Sequence, residues 1–457
     1  MYKFKKLMIV TSACVATCIA LNVNAATDTE VEVLSRKVYE LEQLVNKLNL
    51  EIASSSSSKN TLPKVNQTDF KDQFIVVKKD VDKSSDQSNL LINNDIMIKV
   101  YGNLRLDTSY DFSGTTNTIG NRTGVVALDK ENPTKGALNV SVATSRIGFD
   151  ISKLTDLGNL TAKLEADFWG DGTSNTDGKL RIRHAYGSIG KWLIGQTTSP
   201  FVNTDTSPDL IDFTGPMGGG TQRNVQLRFT HPIKNNQKIL VALEGGDIDN
   251  FSGKSQSTGG SRLPAITFRY DSKMANDNGL IQLHGMVHEN RISTNENNYK
   301  TAIGWGIGIG GKYQITDNDL IMANYYHVVG DSRYMLYTNQ NNASYSSVEK
   351  YDPNGVFLGY DITSNTYDTL QLGFQKKWTS KLKSTFSIAG INFKDKTPYA
   401  INNPIYNESL YNVVANFIYT PVNNINLGME YTYGQRENFQ GEEGTISRVN
   451  LLTRYNF

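Results

Sequence analysis

Nine basic side chains recur at alternating positions within short apolar stretches: Arg105, Arg146, Lys163, Arg181, Arg183, Arg228, Arg269, Arg448 and Arg454. Ile147, Phe149 and Ile151 alternate with Arg146, Gly148 and Asp150, and Val225, Leu227 and Phe229 alternate with Gln226, Arg228 and Thr230. In an extended chain this pattern puts the arginines on one face and the apolar residues on the other. A guanidinium is a planar fork that grips carboxylates through two parallel hydrogen bonds, so arginines on neighbouring strands can form a ladder that draws anions along a wall. The same faces carry Asp107, Asp150, Glu165, Asp167 and Glu430, so plain neutralisation competes with that reading. Arg181 and Arg183 stand two apart with no acid between them. They repel each other unless an anion visits or cross-strand acids cancel them.

Other chemistry finds no support in the spacing. Gly306-Ile307-Gly308-Ile309-Gly310-Gly311-Lys312 lacks the Lys-Ser/Thr ending and the following helix of a phosphate-binding loop, and alternation runs straight through it. Its glycines Gly304, Gly306, Gly308 and Gly310 share one face, where missing side chains make room for a packed loop or a wider lumen. His284 and His288 share a strand face about 13 Å apart, too far to ligate one metal ion directly. Both read as polar lumen residues. No motif joins Ser, His and an orienting acid, so no enzyme activity, cofactor or metal is expected.

The elements that must position these residues are strands. From about Ile96 the period is two, beginning with Val100, Gly102, Leu104, Leu106 and Tyr110 against Lys99, Asn103, Arg105, Asp107 and Asp111. Leu180, Ile182 and Tyr186 oppose Arg181 and Arg183. At the end, Val449, Leu451, Thr453, Tyr455 and Phe457 share a face opposite Asn450, Arg454 and Asn456, with Leu452 out of pattern. Short turns such as 155–158, 276–279 and 421–424 alternate with long polar loops at 113–135, 199–221, 248–261 and 331–364. Short turns at one end and long loops at the other, at roughly 23 residues per strand and connection, describe an all-β transmembrane antiparallel barrel of about 16 strands over 96–457. A hydrophobic content of 38% is low for a large soluble core but suits a wall with one wet face.

Ahead of the barrel, Lys3, Lys5 and Lys6 precede an apolar run from Leu7 to Leu21 and a small-residue site at Ala25, a signal peptide over 1–25. Both cysteines, Cys14 and Cys18, lie within it, which leaves no disulfide or thiolate after export. Lipid attachment at Cys18 is the alternative, for which Thr17 is a poor fit. Without the three signal lysines, 43 basic residues face 45 acidic ones, a balance unlike that of a nucleic-acid binder. Val31, Leu34, Val38, Leu41, Val45, Leu48 and Ile52 follow a 3-4 spacing without a slip, so 26–53 reads as a coiled-coil oligomerisation helix. Its composition leans towards two strands, yet about three heptads are too few to fix the number. A helix folded back on its own domain is the alternative. Residues 54–95, opening with five serines, read as a flexible polar linker.

Taken together, the chain resembles the DcaP-like outer-membrane porins. The resemblance rests on the coil, Val100-Tyr101-Gly102, Ser145-Arg146-Ile147-Gly148-Phe149-Asp150, Glu165-Ala166-Asp167-Phe168-Trp169-Gly170, Arg181-Ile182-Arg183-His184-Ala185-Tyr186, Leu193-Ile194-Gly195-Gln196-Thr197 and Leu427-Gly428-Met429-Glu430-Tyr431. It implies a homotrimer of 16-stranded barrels in the bacterial outer membrane, in contact with its lipid, with the coil in the periplasm. It also implies passage of small anionic solutes such as dicarboxylates, and a loop after Gln196 that folds inward to narrow the pore. The terminal Tyr455 and Phe457 resemble the signal by which barrel-assembly machinery recognises its clients. A general diffusion porin and a structural or adhesive barrel tethered by its coil remain alternative functions.

Overall fold

The computed structural model describes residues 89–457, less 93–95, 132–134, 171, 173–177, 246–250, 253–256, 259–261, 275–276 and 294–298. The signal peptide, the coiled coil and most of the linker expected from the sequence lie outside the described residues.

Sixteen antiparallel strands close into a barrel. β1 is Ile96–Ser113, β2 is split into Ala137–Ser141 and Arg146–Thr155, β3 is Gly158–Asp167 and β4 is Arg181–Ile189. They are followed by β5 Trp192–Thr198, β6 Arg223–Lys234, β7 Gln237–Glu244 and β8 Ala265–Lys273. The second half comprises β9 Gly279–Ser293, β10 Tyr299–Gln314, β11 Asp319–Val329 and β12 Thr366–Thr379. The last four are β13 Leu382–Phe393, β14 Asn407–Tyr419, β15 Ile425–Asn438 and β16 Glu443–Asn456. Each strand pairs with the next, and β1 pairs with β16 from Asn103–Asn456 to Ser113–Ser447. Closure leaves no strand edge in the hydrocarbon layer, where an unpaired backbone group costs several kcal/mol.

Alternation sorts the side chains as the sequence pattern requires. Leu104 (64% exposed), Ile194 (68%) and Ile303 (60%) project from the outer wall. In water such exposure forfeits the hydrophobic gain, whereas in a bilayer these side chains meet hydrocarbon. Trp192 and Trp378 project beside short turns, where an aromatic girdle meets the interface. The terminal Phe457 pairs through its backbone with Gly102 (3.0 and 3.1 Å). A Cβ at Gly102 would stand 2.7 Å from the Phe457 ring, so only glycine lets the ring lie across β1.

The long connections lie at the end opposite the one where the chain leaves β16, with the short turn 439–442 among them, and the turns at the other end are all short. Three of the long connections matter below: L1 (114–136), L3 (199–222) and L6 (330–365). L6 contains an antiparallel hairpin, Tyr345–Tyr351 with Phe357–Ser364.

Candidate functional site

L3 runs through the barrel interior, bonded to strand after strand. Pro200 O accepts from His284 Nδ1 on β9 (2.9 Å), and Thr206 exchanges two hydrogen bonds with Asn324 on β11 (2.6 and 2.9 Å). Met217 O accepts from Gln371 Nε2 on β12 (3.1 Å), and Asp209 meets Lys383 on β13 and Asn416 on β14. Glu430 on β15 receives the backbone N–H groups of Ile211 and Asp212 (2.7 and 2.9 Å), and Arg105 Nη2 on β1 donates to Ile211 O (2.6 Å). A loop inside a barrel carries backbone groups that water cannot reach, and this chain of side-chain partners satisfies them.

The irregularities of the sequence are the seats of this loop. An added Cβ at Gly306 would lie 2.6 Å from the Phe201 ring, at Gly310 2.6 Å from Thr206 Oγ1, and at Gly428 2.5 Å from Ile211 Cδ1. The glycine face of β10 therefore makes room for a packed loop. Leu452, out of phase on β16, joins Ile211 and Ile418 in a buried apolar cluster beneath L3.

L6 also turns inward, which its sequence did not announce. Leu336 N donates to Gly219 O (2.6 Å) and Gly218 N to Leu336 O (3.2 Å), so the two loops are stitched together. Phe201 of L3 packs edge-on against Tyr326 and Tyr334, with ring centroids 5.4 and 5.5 Å apart. Tyr334 Oη donates to Glu244 on β7 (2.7 Å), and Tyr337 Oη to Gly215 O of L3 (3.3 Å).

The wall from β2 to β8 carries the cationic face. Asp167 takes a bidentate pair from Arg181 (2.9 and 2.7 Å) and a third bond from Arg183 (2.7 Å). Arg183 Nε also donates to Glu165 (2.9 Å), and Arg146 Nη1 stands 3.3 Å from the same carboxylate. Both forks that were expected to hold a visiting anion are thus already bound to cross-strand acids. The pairing register explains how. Glu165 lies opposite His184 and Ala166 opposite Ile182, so Arg183 is the extra residue of a β-bulge. The bulge turns His184 and Tyr186 to the Arg183 side, with Tyr186 opposite Lys163, and corrects the expected placing of Tyr186 on the Ile182 face.

The remaining basic residues divide. Lys163 pairs with Asp150 (2.7 Å) and receives the Tyr101 ring at 4.6 Å. Arg269 binds Asp271 (3.0 Å) and reaches Asp205 of L3 (3.7 Å), Arg105 grips Asp107 through two bonds (2.8 and 2.7 Å), and Arg454 donates to Asn426. Arg448 lines no water-filled path, contrary to expectation. It is wholly buried, bound to Asp111 and to the carbonyls of Thr118 and Ile119, where it ties L1 to β16. His284 and His288 are likewise buried under the loops, the latter 3.3 Å from Asp331 of L6, rather than facing water.

Two guanidiniums on β6 stand apart. Among the described residues Arg223 and Arg228 have no carboxylate within 4 Å, and the Nε of each is buried without a partner. The charge of Arg223 is opposed by those of Arg183, Arg181 and Arg146 and offset in part by Glu165, and that of Arg228 is opposed by Arg269 and offset in part by Tyr186 and Glu244. Arg223 shares the phase of Val225 and Leu227, so alternation assigned it to the outer wall and concealed it. Across from this wall L3 presents Phe213, its ring 5.4 Å from the Arg105 guanidinium and 5.8 Å from that of Arg181.

The model of the DcaP outer membrane protein family matches residues 64–457. The crystal structure of the outer membrane channel DcaP of Acinetobacter baumannii is 30% identical, with a TM-score of 0.68 over 80% of this chain and 99% of that one. Two more distant structures share the fold. The anion-selective porin from Comamonas acidovorans has 12% identity and a TM-score of 0.52, over 79% of this chain and 100% of its own. OmpF of Salmonella typhi in complex with daunomycin has 14% identity and a TM-score of 0.52, over 80% and 99%. No curated protein matches the chain.

Proposed function

This chain belongs to the DcaP outer membrane protein family, and on that premise we propose that it is an outer-membrane channel for small anionic solutes, dicarboxylates among them, which pass along the arginine wall of β2–β8. One observation carries the reading. Arg146, Arg181 and Arg183 share two carboxylates, Glu165 and Asp167, and among the described residues Arg223 and Arg228 pair with none, so these five arginines outnumber their ion-paired acids. Arginine forks that are partly desolvated and lack a protein partner attract carboxylates more strongly than water-screened arginines do, and they repel cations. Loop L3 touches this wall through Phe213 at Arg181 and through Asp205 at Arg269, and loop L6 through Tyr334 at Asn224 and Glu244, so the loops border the arginines.

Reversal potentials across a planar bilayer in asymmetric salt test the reading. The unaltered channel should favour anions, and Arg146→Gln, Arg223→Gln and Arg228→Gln together should lower the anion-over-cation permeability ratio about threefold or more, on the scale of one to several unit charges at a high effective dielectric. The barrel should still assemble. A ratio near unity before any substitution would mean a general diffusion pore, and no solute-sized conductance would mean a structural barrel.

We also assign residues 26–53 to a periplasmic coiled coil that supports a homotrimer, from the unbroken Val31–Ile52 register. Deleting residues 26–60 should loosen the trimer in detergent. Unchanged oligomer stability would give the segment another task.

A further inference from the structure

We infer that Tyr334 of L6 is a positioning residue for permeation: its hydroxyl holds Glu244 away from Arg228 and so preserves the unpaired charge of the arginine wall. The inference rests on the anion-channel reading above and extends it to loop L6.

Glu244 and Arg228 ought to form an ion pair. Gln226 lies directly opposite Glu244, and Arg228 lies opposite Ala242. Glu244 and Arg228 are therefore diagonal neighbours on one face, a separation that long side chains span. Opposite charges so placed on an inner wall ordinarily meet. Here they do not, and three of the roughly four acceptor directions of the carboxylate are filled by neutral donors. Oε2 receives Asn224 Nδ2 and Tyr334 Oη, each at 2.7 Å, and Oε1 receives Thr267 Oγ1 at 2.7 Å. Asn224 Nδ2 lies 3.1 Å from Tyr334 Oη as well, which closes the cluster.

Asn224 and Thr267 come from the barrel wall on either side of β7, whereas Tyr334 comes from a loop. Its ring is buried at 1% exposure against Phe201 of L3, so the hydroxyl is delivered by the stitched L3–L6 unit. Three neutral hydrogen bonds to a carboxylate rival one exposed ion pair, because hydrogen bonds to a charged acceptor are roughly twice as strong as neutral ones. Removing one donor shifts the balance, and the freed oxygen has Arg228 as its nearest cationic option on the diagonal.

The test is a set of channels recorded in asymmetric salt, each first checked for folded, heat-modifiable migration. Tyr334→Phe should lower the anion-over-cation permeability ratio about twofold, as expected when one of several wall charges is neutralised. Thr267→Val, which removes a different donor, should act in the same direction. Neither should have an effect in a Glu244→Gln background, where there is no charge to swing across. An unchanged ratio in Tyr334→Phe, or an equal fall with and without Glu244, overturns the inference, since the tyrosine would then act only through loop packing. Arg228→Gln separates the two levels. If it alone leaves selectivity unchanged, the anion reading of Arg228 falls and takes this inference with it. If it lowers selectivity while Tyr334→Phe does not, the inference alone fails.

Discussion

Arg448 on β16 and Arg181 on β4 make the same bond pattern, a two-pronged grip on one aspartate, in opposite surroundings. Arg448 and Asp111 are both wholly buried, and the remaining guanidinium hydrogens go to the carbonyls of Thr118 and Ile119 in L1. The Arg181 side chain keeps 36% of its surface exposed, and its partner Asp167 is shared with Arg183. What separates the two is the layer above the wall. From β8 round to β1 the interior is covered by L3, L6 and L1, and its charged residues serve as loop anchors. From β2 to β4 the wall is more open, the side chains of Arg146, Lys163 and Arg181 keeping 28, 26 and 36% of their surface exposed, and with Arg183 these four cations outnumber Asp150, Glu165 and Asp167. One residue type on one kind of strand face thus becomes a buried tie or a partly open ion pair according to whether a loop lies over it.

The largest effect should come from breaking the covered pair. Arg448→Met leaves Asp111 charged and buried without its cation, and losing one partner of such a pair costs about 3–5 kcal/mol. L1 should detach from β16, and the temperature at which the folded barrel gives way to the unfolded band on a gel should drop sharply. Arg181→Gln should cost about 1 kcal/mol, because the Arg181 side chain is itself partly open to water and Arg183 still holds the buried Asp167. Equal losses from the two substitutions would erase the distinction between the covered and open halves.

Much of the barrel wall could be read from the chain. The phases of β1, β3 and β16, the short turns and the arginines follow from a period of two, because the bilayer forces every strand to obey it. The glycine face of β10 left two readings, a packed loop or a wider lumen, and Phe201 and Thr206 of L3 occupy that room. The covered half was concealed for physical reasons. Alternation tells which face a residue occupies and is silent on what lies over that face, so Arg448 and Arg181 looked alike. A single inserted residue at Arg183 resets the phase downstream, which misplaced Tyr186. Arg223 opens β6 in the lipid-facing phase yet has a buried Nε, a departure available only to a residue at a strand end. L6 has no period at all. Its inward course depends on Tyr334, Leu336 and Tyr337 finding partners in L3 and β7 that lie far away in sequence.

A smaller effect, aimed at the boundary between the halves, should follow from Gly306→Val. Phe201 sits over Gly306 with no exposed surface, wedged between Tyr326 and Tyr334, so its ring cannot yield to a new Cβ 2.6 Å away. The loop must move instead. Overpacking of this kind costs about 1–3 kcal/mol, well below the loss expected at Arg448. L3 is hemmed in by β10 behind it, so it can shift only towards the arginine wall, and single-channel conductance should fall while assembly persists. Gly285→Val on the outer face of neighbouring β9 is the matching control. Its added Cβ meets Phe268 at 3.9 Å, ordinary contact, and its side chain points to lipid. That variant should conduct as the unaltered channel does. If Gly306→Val also conducts normally, L3 is not seated on β10 in the way its packing indicates, and the division into a covered and an open half would lose its main support.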